Sequence, residues 1–170
     1  MRNLNKFVHN YKIQLAKGEI QSAYSQLVKL VMALRTRFIA NLKGEFSVGG
    51  LLQGYMDYTY FYYSNDLLQE KGLKLGLVLN HLEMRFEVWL LGRTKPVQTE
   101  YWNLFQGSKW VQSGSTMPQY SILEVIIVAD PNFDDLTKLS NQIEKNARKT
   151  SAEIIDALKG LPAPSRTFQK

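Results

Sequence analysis

Two stretches of strict alternation, separated by a short polar segment, constrain the fold of this chain more than any other feature. Leucine occupies every second position from Leu73 to Leu79, and large apolar residues occupy every second position from Met84 to Leu90. A period of two indicates strands with one buried face. Residues 80–83 have a common hairpin-loop length, so the two strands are predicted to pair antiparallel.

A four-residue loop also predicts the register of this hairpin. The expected pairs are Leu79 with Met84, Leu77 with Phe86, Leu75 with Val88 and Leu73 with Leu90. All eight side chains then share one buried face. The opposite face carries Lys74, Gly76, Val78, Arg85, Glu87 and Trp89.

The rest of the pattern predicts helices at both ends and further strands. Apolar residues recur at helical spacing over residues 3–17 and about 19–42, with Gly18 between them, which predicts a helical hairpin. Residues 44–54 are interpreted as a loop, the aromatic residues 55–63 as a first strand, and residues 120–129 mainly as a strand, with a buried helix as the alternative. Helices are predicted from Pro96 and, capped by Asn132, up to Gly160.

This order predicts an α+β fold with an N-terminal helical hairpin, a central, mainly antiparallel sheet of about four strands, and a C-terminal helix. A chain of 170 residues, 45% of them hydrophobic, suits one domain, which we expect over residues 1–160. Residues 161–170 are predicted to be a flexible tail.

The amino-acid composition excludes several kinds of catalytic and metal-binding site. The chain has no cysteine and two histidines, which excludes thiolate metal sites and cysteine nucleophiles. No nucleotide-binding glycine loop is present, and we expect no cofactor and no metal. We see no signal peptide and no apolar run long enough for a membrane span, so a cytoplasmic location without a membrane partner is expected.

The positive charge lies at one end of the sequence. The first fifty residues hold eight Lys/Arg and two acids, whereas the remaining residues hold thirteen of each sign. Such a field attracts polyanions, which makes nucleic-acid binding an alternative function. The candidate residues are Lys12, Lys17, Lys29, Arg35 and Arg37. A solvated helical face explains the same residues, because they are not clustered in a run.

The polar and aromatic face of the sheet is the leading candidate site. Tyr58 shares its strand face with two further tyrosines, and Arg85, Glu87 and Trp89 share a face of the hairpin. With Asp57 they predict a surface for a small molecule or a protein partner. Packing of strand aromatics into a core is the competing explanation.

A metal-dependent nuclease is a further alternative. Such enzymes place an acid on one strand and an acid with a lysine on a following hairpin. Asp57 and Glu83 or Glu87 match the acids, but Arg85 stands where lysine is usual. Arginine holds its proton too tightly to activate water well. The match therefore indicates at most a degenerate nuclease site. The sequence favours a non-catalytic protein but leaves catalysis open.

Three segments resemble an uncharacterised family of small bacterial proteins, defined as a domain of unknown function. They are residues 53–61 (QGYMDYTYF), residues 80–81 with 84–90 (NH and MRFEVWL), and residues 131–136 (PNFDDL). The resemblance spans residues 4–158. It implies a bacterial cytosolic protein and transfers no catalytic residue.

Overall fold

The centre of the molecule is a five-stranded antiparallel sheet, seen in a computed structural model that describes residues 3–162. The strands lie side by side in chain order: β1 (Ser47–Gln53), β2 (Tyr58–Ser64), β3 (Leu73–Asn80), β4 (Arg85–Gly92) and β5 (Leu123–Val128). The helices are α1 (Leu4–Lys17), α2 (Glu19–Asn41), α3 (Asp66–Glu70), α4 (Lys95–Leu104) and α5 (Leu136–Lys159). The predicted α+β class is confirmed. Of the predicted tail, residues 163–170 lie outside the described residues.

The helices α2 and α5 cover one face of the sheet, and the main core lies between this face and the two helices. The alternating side chains of β3 and β4 are buried there against the predicted stripes of both helices. The helix residues in this core include Leu30, Leu34 and Phe38 of α2 and Leu139, Ile143, Ala147 and Ile154 of α5. We call this the inner face and the opposite one the outer face. Within the described residues, no helix has the length and hydropathy to cross a bilayer.

The predicted register of the central hairpin is wrong by two residues. Leu79 pairs with Phe86, and Asn80 pairs with Arg85. The Asn80 side chain accepts a hydrogen bond from the turn, and Met84 has a left-handed backbone (φ 46°), so β4 begins only after Met84. A slip of two residues keeps every side chain on its predicted face. Seven of the eight expected core residues are therefore buried, whereas Met84 is 41% exposed.

The strand β1 lies where the sequence predicted a loop. It pairs with β2 at the edge of the sheet, and its register shifts between Val48 and Leu51. A Cβ added at Gly49 would lie 3.3 Å from the Tyr62 carbonyl oxygen, so glycine permits the close approach of the two strands. Glycines inside a strand commonly mark such irregular pairing. In this chain Gly49 and Gly50 lie in an irregular edge strand and not in the predicted loop.

The turn between β1 and β2 takes up residues predicted to be strand. The Gly54 N–H donates to the Tyr58 carbonyl oxygen at 2.8 Å, which closes a hairpin turn over the residues between them. Met56 has a φ of 63°, and Tyr55 is fully exposed. The aromatic strand therefore begins at Tyr58, three residues later than predicted.

Within residues 120–129, Leu123–Val128 form the predicted strand, β5, and not the alternative helix. The cap of the following helix differs from the prediction. Asp135, not Asn132, accepts a hydrogen bond from the Lys138 N–H at 2.9 Å and starts α5. Asn132 accepts from the Asp134 N–H and so stabilises the preceding turn.

The first helix does not bury the apolar stripe predicted for it. Gly18 ends α1 as predicted, with a φ of 74°, and α2 follows at once. No residue of α1 is buried, although Leu4, Val8 and Tyr11 lie on one face. The core is thus complete without α1.

Candidate ligand site on the outer face of the sheet

The outer face of the sheet carries a second, smaller apolar cluster. Val78, Trp89 and Leu91 are buried there, although the main helices lie on the other face. Tyr58, Tyr60 and Tyr62 cover them partly. These residues point the same way because alternate residues of a strand share a face. Aromatic rings therefore form the outer layer of this part of the sheet.

A glycine of β3 lies between two of the aromatic residues. Gly76 of β3 pairs with Tyr62 on one side and with Trp89 on the other, and it has no side chain to separate them. A Cβ at this position would lie 3.4–3.5 Å from the side chains of Leu91 and Tyr62. The side chains of Tyr62 and Leu91 therefore close over β3 at this position, and both line a shallow depression on the outer face.

This depression has a volume of about 320 Å³. Residues of β2 and β4 form its walls. The turn before β2 lies at one end, and the loop before β5 contributes the ring of Tyr120. Its lining residues are Gly54, Asp57, Tyr58, Tyr60, Tyr62, Trp89, Leu91 and Tyr120. We call it the aromatic hollow. The rings of Tyr58 and Trp89 meet edge to face, with centroids 4.9 Å apart.

A buried carboxylate holds the Trp89 ring. Glu87 is fully buried, and its side chain accepts hydrogen bonds from Trp89 Nε1 (2.5 Å), Arg85 Nε (2.5 Å) and Asn80 Nδ2 (3.3 Å). Hydrogen bonding to Glu87 raises the pKa of Arg85. A buried charge is tolerated when it is paired and hydrogen-bonded in this way. The network therefore fixes the indole from beneath.

The end of the hollow near Tyr58 is negatively charged. Burial, and then the charges of Glu124, Glu87 and Asp57, raise the pKa of Tyr58. Burial also raises the pKa of Glu124, which accepts a hydrogen bond from the Ser121 hydroxyl at 2.6 Å. Three carboxylates, of which Asp57 lines the hollow, thus act on one tyrosine hydroxyl, and Arg85 beside Glu87 offsets part of their charge. Such a field attracts a cation and repels an anion.

One ring of the hollow, that of Tyr62, already contacts a cation. The Lys74 ammonium group lies 3.4 Å from the centroid of the Tyr62 ring. Burial, and then the charge of Arg93, lower the pKa of Lys74. Burial raises the pKa of Tyr62. The tyrosine wall is therefore suited to cation–π contact.

The family can be stated at this point. The sequence profile of DUF7000, a domain of unknown function, matches residues 4–158, which include all five strands. The chain belongs to the DUF7000 family. The resemblance found from the sequence is confirmed. No curated protein and no solved structure matches the chain.

The DUF7000 fold brings together three of the five residues predicted for a ligand site. Asp57, Tyr58 and Trp89 line the aromatic hollow. Arg85 and Glu87 do not line it, because Glu87 lies beneath the surface and Arg85 pairs with it. The sequence-based set lacked Tyr60, Tyr62, Leu91, Gly54 and Tyr120. The period-two spacing from Tyr58 and Trp89 points to Tyr60, Tyr62 and Leu91, whereas no local signal points to Tyr120.

The five basic candidates have different surroundings in the DUF7000 domain. Arg35 donates to the Gly49 carbonyl oxygen of β1 at 2.5 Å. Arg37 pairs with Glu144 of α5 at 3.0 Å. These two arginines join α2 to different elements. Lys12, Lys17 and Lys29 are exposed on α1 and α2.

The acids considered for a metal centre have other contacts. Asp57 accepts from the Tyr58 N–H at 2.7 Å, Glu83 lies 3.5 Å from Arg85, and Glu87 is enclosed by its three donors. Among residues 3–162, no group of three or more His, Asp or Glu side chains is placed to hold a metal ion. His81 contacts Thr59 at 2.8 Å, as suits a histidine in a hairpin turn.

Proposed function

We propose that this DUF7000 domain binds a small organic cation in the aromatic hollow. The observation that carries the proposal is the combination of a ring-walled depression with a negatively charged end at Tyr58. The face of an aromatic ring attracts a cation through its quadrupole, and nearby carboxylates add Coulomb attraction. Lys74 over Tyr62 is an intramolecular example of the same contact.

The dimensions of the hollow restrict the ligand. Its volume of about 320 Å³ is near the lower end of the range for ligand pockets, roughly 300–1,000 Å³. A compact group such as a quaternary ammonium or a substituted guanidinium suits this volume. The negative end near Tyr58 disfavours phosphate-bearing ligands.

The support beneath the hollow favours binding. Trp89 is held by its hydrogen bond to Glu87 and by its edge-to-face contact with Tyr58. A ring that is already fixed loses little conformational freedom when a ligand arrives. The site therefore satisfies a general requirement of specific recognition, which is a rigid contact surface supported by a second layer of contacts.

A matched pair of compounds tests this function. Choline and 3,3-dimethylbutan-1-ol have nearly the same shape, but only choline is charged. We expect choline to shift the NMR signal of the Trp89 indole N–H, and the neutral alcohol to leave it unchanged. The signals of the other two tryptophans, which lie in or against the main core, provide the internal reference.

Two tyrosine variants separate binding in the hollow from surface effects. Tyr120 lines the hollow and Tyr55 does not, yet both are exposed, so neither substitution alters the core. Tyr120→Leu is expected to weaken choline binding, whereas Tyr55→Leu leaves it unchanged. Equal responses to choline and its neutral analogue, or equal effects of the two substitutions, would refute the proposal.

A further inference from the structure

The first helix presents an unburied apolar stripe. Leu4, Phe7, Val8 and Tyr11 recur at helical spacing, and each is more than half exposed. A monomer rarely shows so many large apolar side chains on one surface without a partner for them. We call these four residues the α1 stripe.

An open apolar groove lies on the helix-covered side of the same molecule. It has a volume of about 320 Å³ and is bordered by α2, by the turn before β4 and by the start of α5. Its lining residues are Ala23, Gln26, Leu27, Leu30, Met84, Phe133 and Leu136. Met84 and Leu136 are large apolar residues that stay exposed there. A helix with an apolar stripe fits such a groove.

The charges of the two surfaces are complementary. The helix α1 has three lysines and no acid. Three acids adjoin the groove: Glu83 precedes Met84, and Asp134 and Asp135 lie between Phe133 and Leu136. The cations that adjoin lining residues are Lys29 and Arg85, and Arg85 is paired with both Glu83 and Glu87, which leaves Asp134 and Asp135 as the acids outside that ion pair. Opposite charges around an apolar contact favour one partner and one orientation.

Hydrogen bonds fix the joint between α1 and α2. The Gly18 N–H donates to the Leu15 carbonyl oxygen, and the Ser22 N–H donates to that of Gly18, both at 3.1 Å. The Gln21 side chain also donates to Leu15, at 2.8 Å. With this joint formed, the α1 stripe stays exposed and does not occupy the groove of its own chain. It is therefore free to enter the groove of another molecule.

We propose that two copies of this chain form a symmetric dimer in which the α1 stripe of each copy occupies the groove of the other. Reciprocal insertion covers both apolar surfaces in a closed two-fold arrangement and leaves none for further growth. The dimer does not involve the aromatic hollow, which lies on the outer face. It therefore stands or falls independently of ligand binding.

Sedimentation velocity of the full chain over a range of concentrations tests the dimer. The stripe variant is Phe7→Ser with Tyr11→Ser, and the groove variant is Leu136→Lys. The matched control is Ile39→Ser, an exposed apolar residue of α2 that does not line the groove. Each interface variant is expected to weaken dimerisation about tenfold or more, and the control leaves it unchanged. Circular dichroism verifies that all variants are folded.

Mixing the two interface variants gives the sharper test. The stripe variant retains its groove and the groove variant retains its stripe, so their heterodimer has one intact insertion, whereas a homodimer of either variant has none. The mixture should therefore dimerise more strongly than either variant alone. A wild-type chain that stays monomeric overturns the proposal, including one that binds vesicles of phosphatidylglycerol through α1. A dimer that survives Phe7→Ser with Tyr11→Ser overturns it as well.

Discussion

Replacement of Glu87 by leucine tests whether the outer face depends on its buried carboxylate. The side chain is 1% exposed and accepts hydrogen bonds from Trp89, Arg85 and Asn80. Leucine has a similar size but no acceptor. The substitution therefore removes three hydrogen bonds and leaves the indole N–H and the Asn80 amide in a buried place without that acceptor.

The loss of stability follows from these donors. Each buried donor that loses its acceptor costs about 1–3 kcal/mol, and Arg85 costs less because its side chain is 28% exposed and also contacts Glu83. Burial of the leucine side chain offsets part of this cost. We expect the unfolding free energy to fall by about 3 kcal/mol. For a chain of this length the melting temperature then falls by roughly 6–12 °C.

Urea unfolding followed by tryptophan fluorescence measures this loss. Glu83→Gln is the matched control, since Glu83 contacts the same arginine from an exposed position, and it is expected to change stability by no more than about 0.5 kcal/mol. A loss below about 1 kcal/mol for Glu87→Leu would refute the reasoning, because the network would then contribute nothing beyond its volume.

Three further predictions concern the frame of the site. Tyr63→Phe removes a buried hydrogen bond to Ser151, whose hydroxyl still donates to a helix carbonyl, so urea unfolding should show a loss of about 0.5–1.5 kcal/mol. Burial lowers the pKa of His81, so the unfolded state binds the proton more readily than the folded state. The free energy of unfolding therefore falls as the pH decreases below about 6.5. His81→Gln should reduce this pH dependence in urea titrations at several pH values. A Cβ at Gly92 would lie 2.6 Å from the Gln98 backbone nitrogen, so Gly92→Ala should lower the melting temperature and shift α4 resonances.

Most of the fold prediction depended on the periodic spacing of apolar residues in the sequence. The alternation in β3 and β4 is strict enough that a register error of two residues still placed seven of eight side chains in the core. Where glycine broke the pattern, prediction failed, because β1 contains Gly49 and Gly50 and pairs irregularly with β2. Helical spacing likewise predicted α1 but not its exposure, since periodicity does not reveal whether a partner covers the stripe.

The candidate site was less predictable for a physical reason. Spacing along a strand shows which side chains share a face, which sufficed for Tyr58 and Trp89. It does not show depth, and Glu87 lies beneath the face that it was expected to present. Nor does it show which loop returns to the sheet, so Tyr120 was found only in the folded chain.

The two faces of the sheet are stabilised differently, and the difference supports a recognition role for the outer face. The inner face is packed by apolar side chains, whereas the outer face encloses the network of Glu87, Arg85 and Asn80, and replacing such a network as a whole by apolar residues is often at least as stable. A role of Glu87 in orienting the Trp89 ring explains why a buried carboxylate is present there. Glu87→Leu should then weaken choline binding at a temperature where the variant is fully folded. Tyr63→Phe also destabilises the protein, but from the inner face, and should leave choline binding unchanged; if both variants lose choline binding in proportion to their stability, Glu87 has no positioning role.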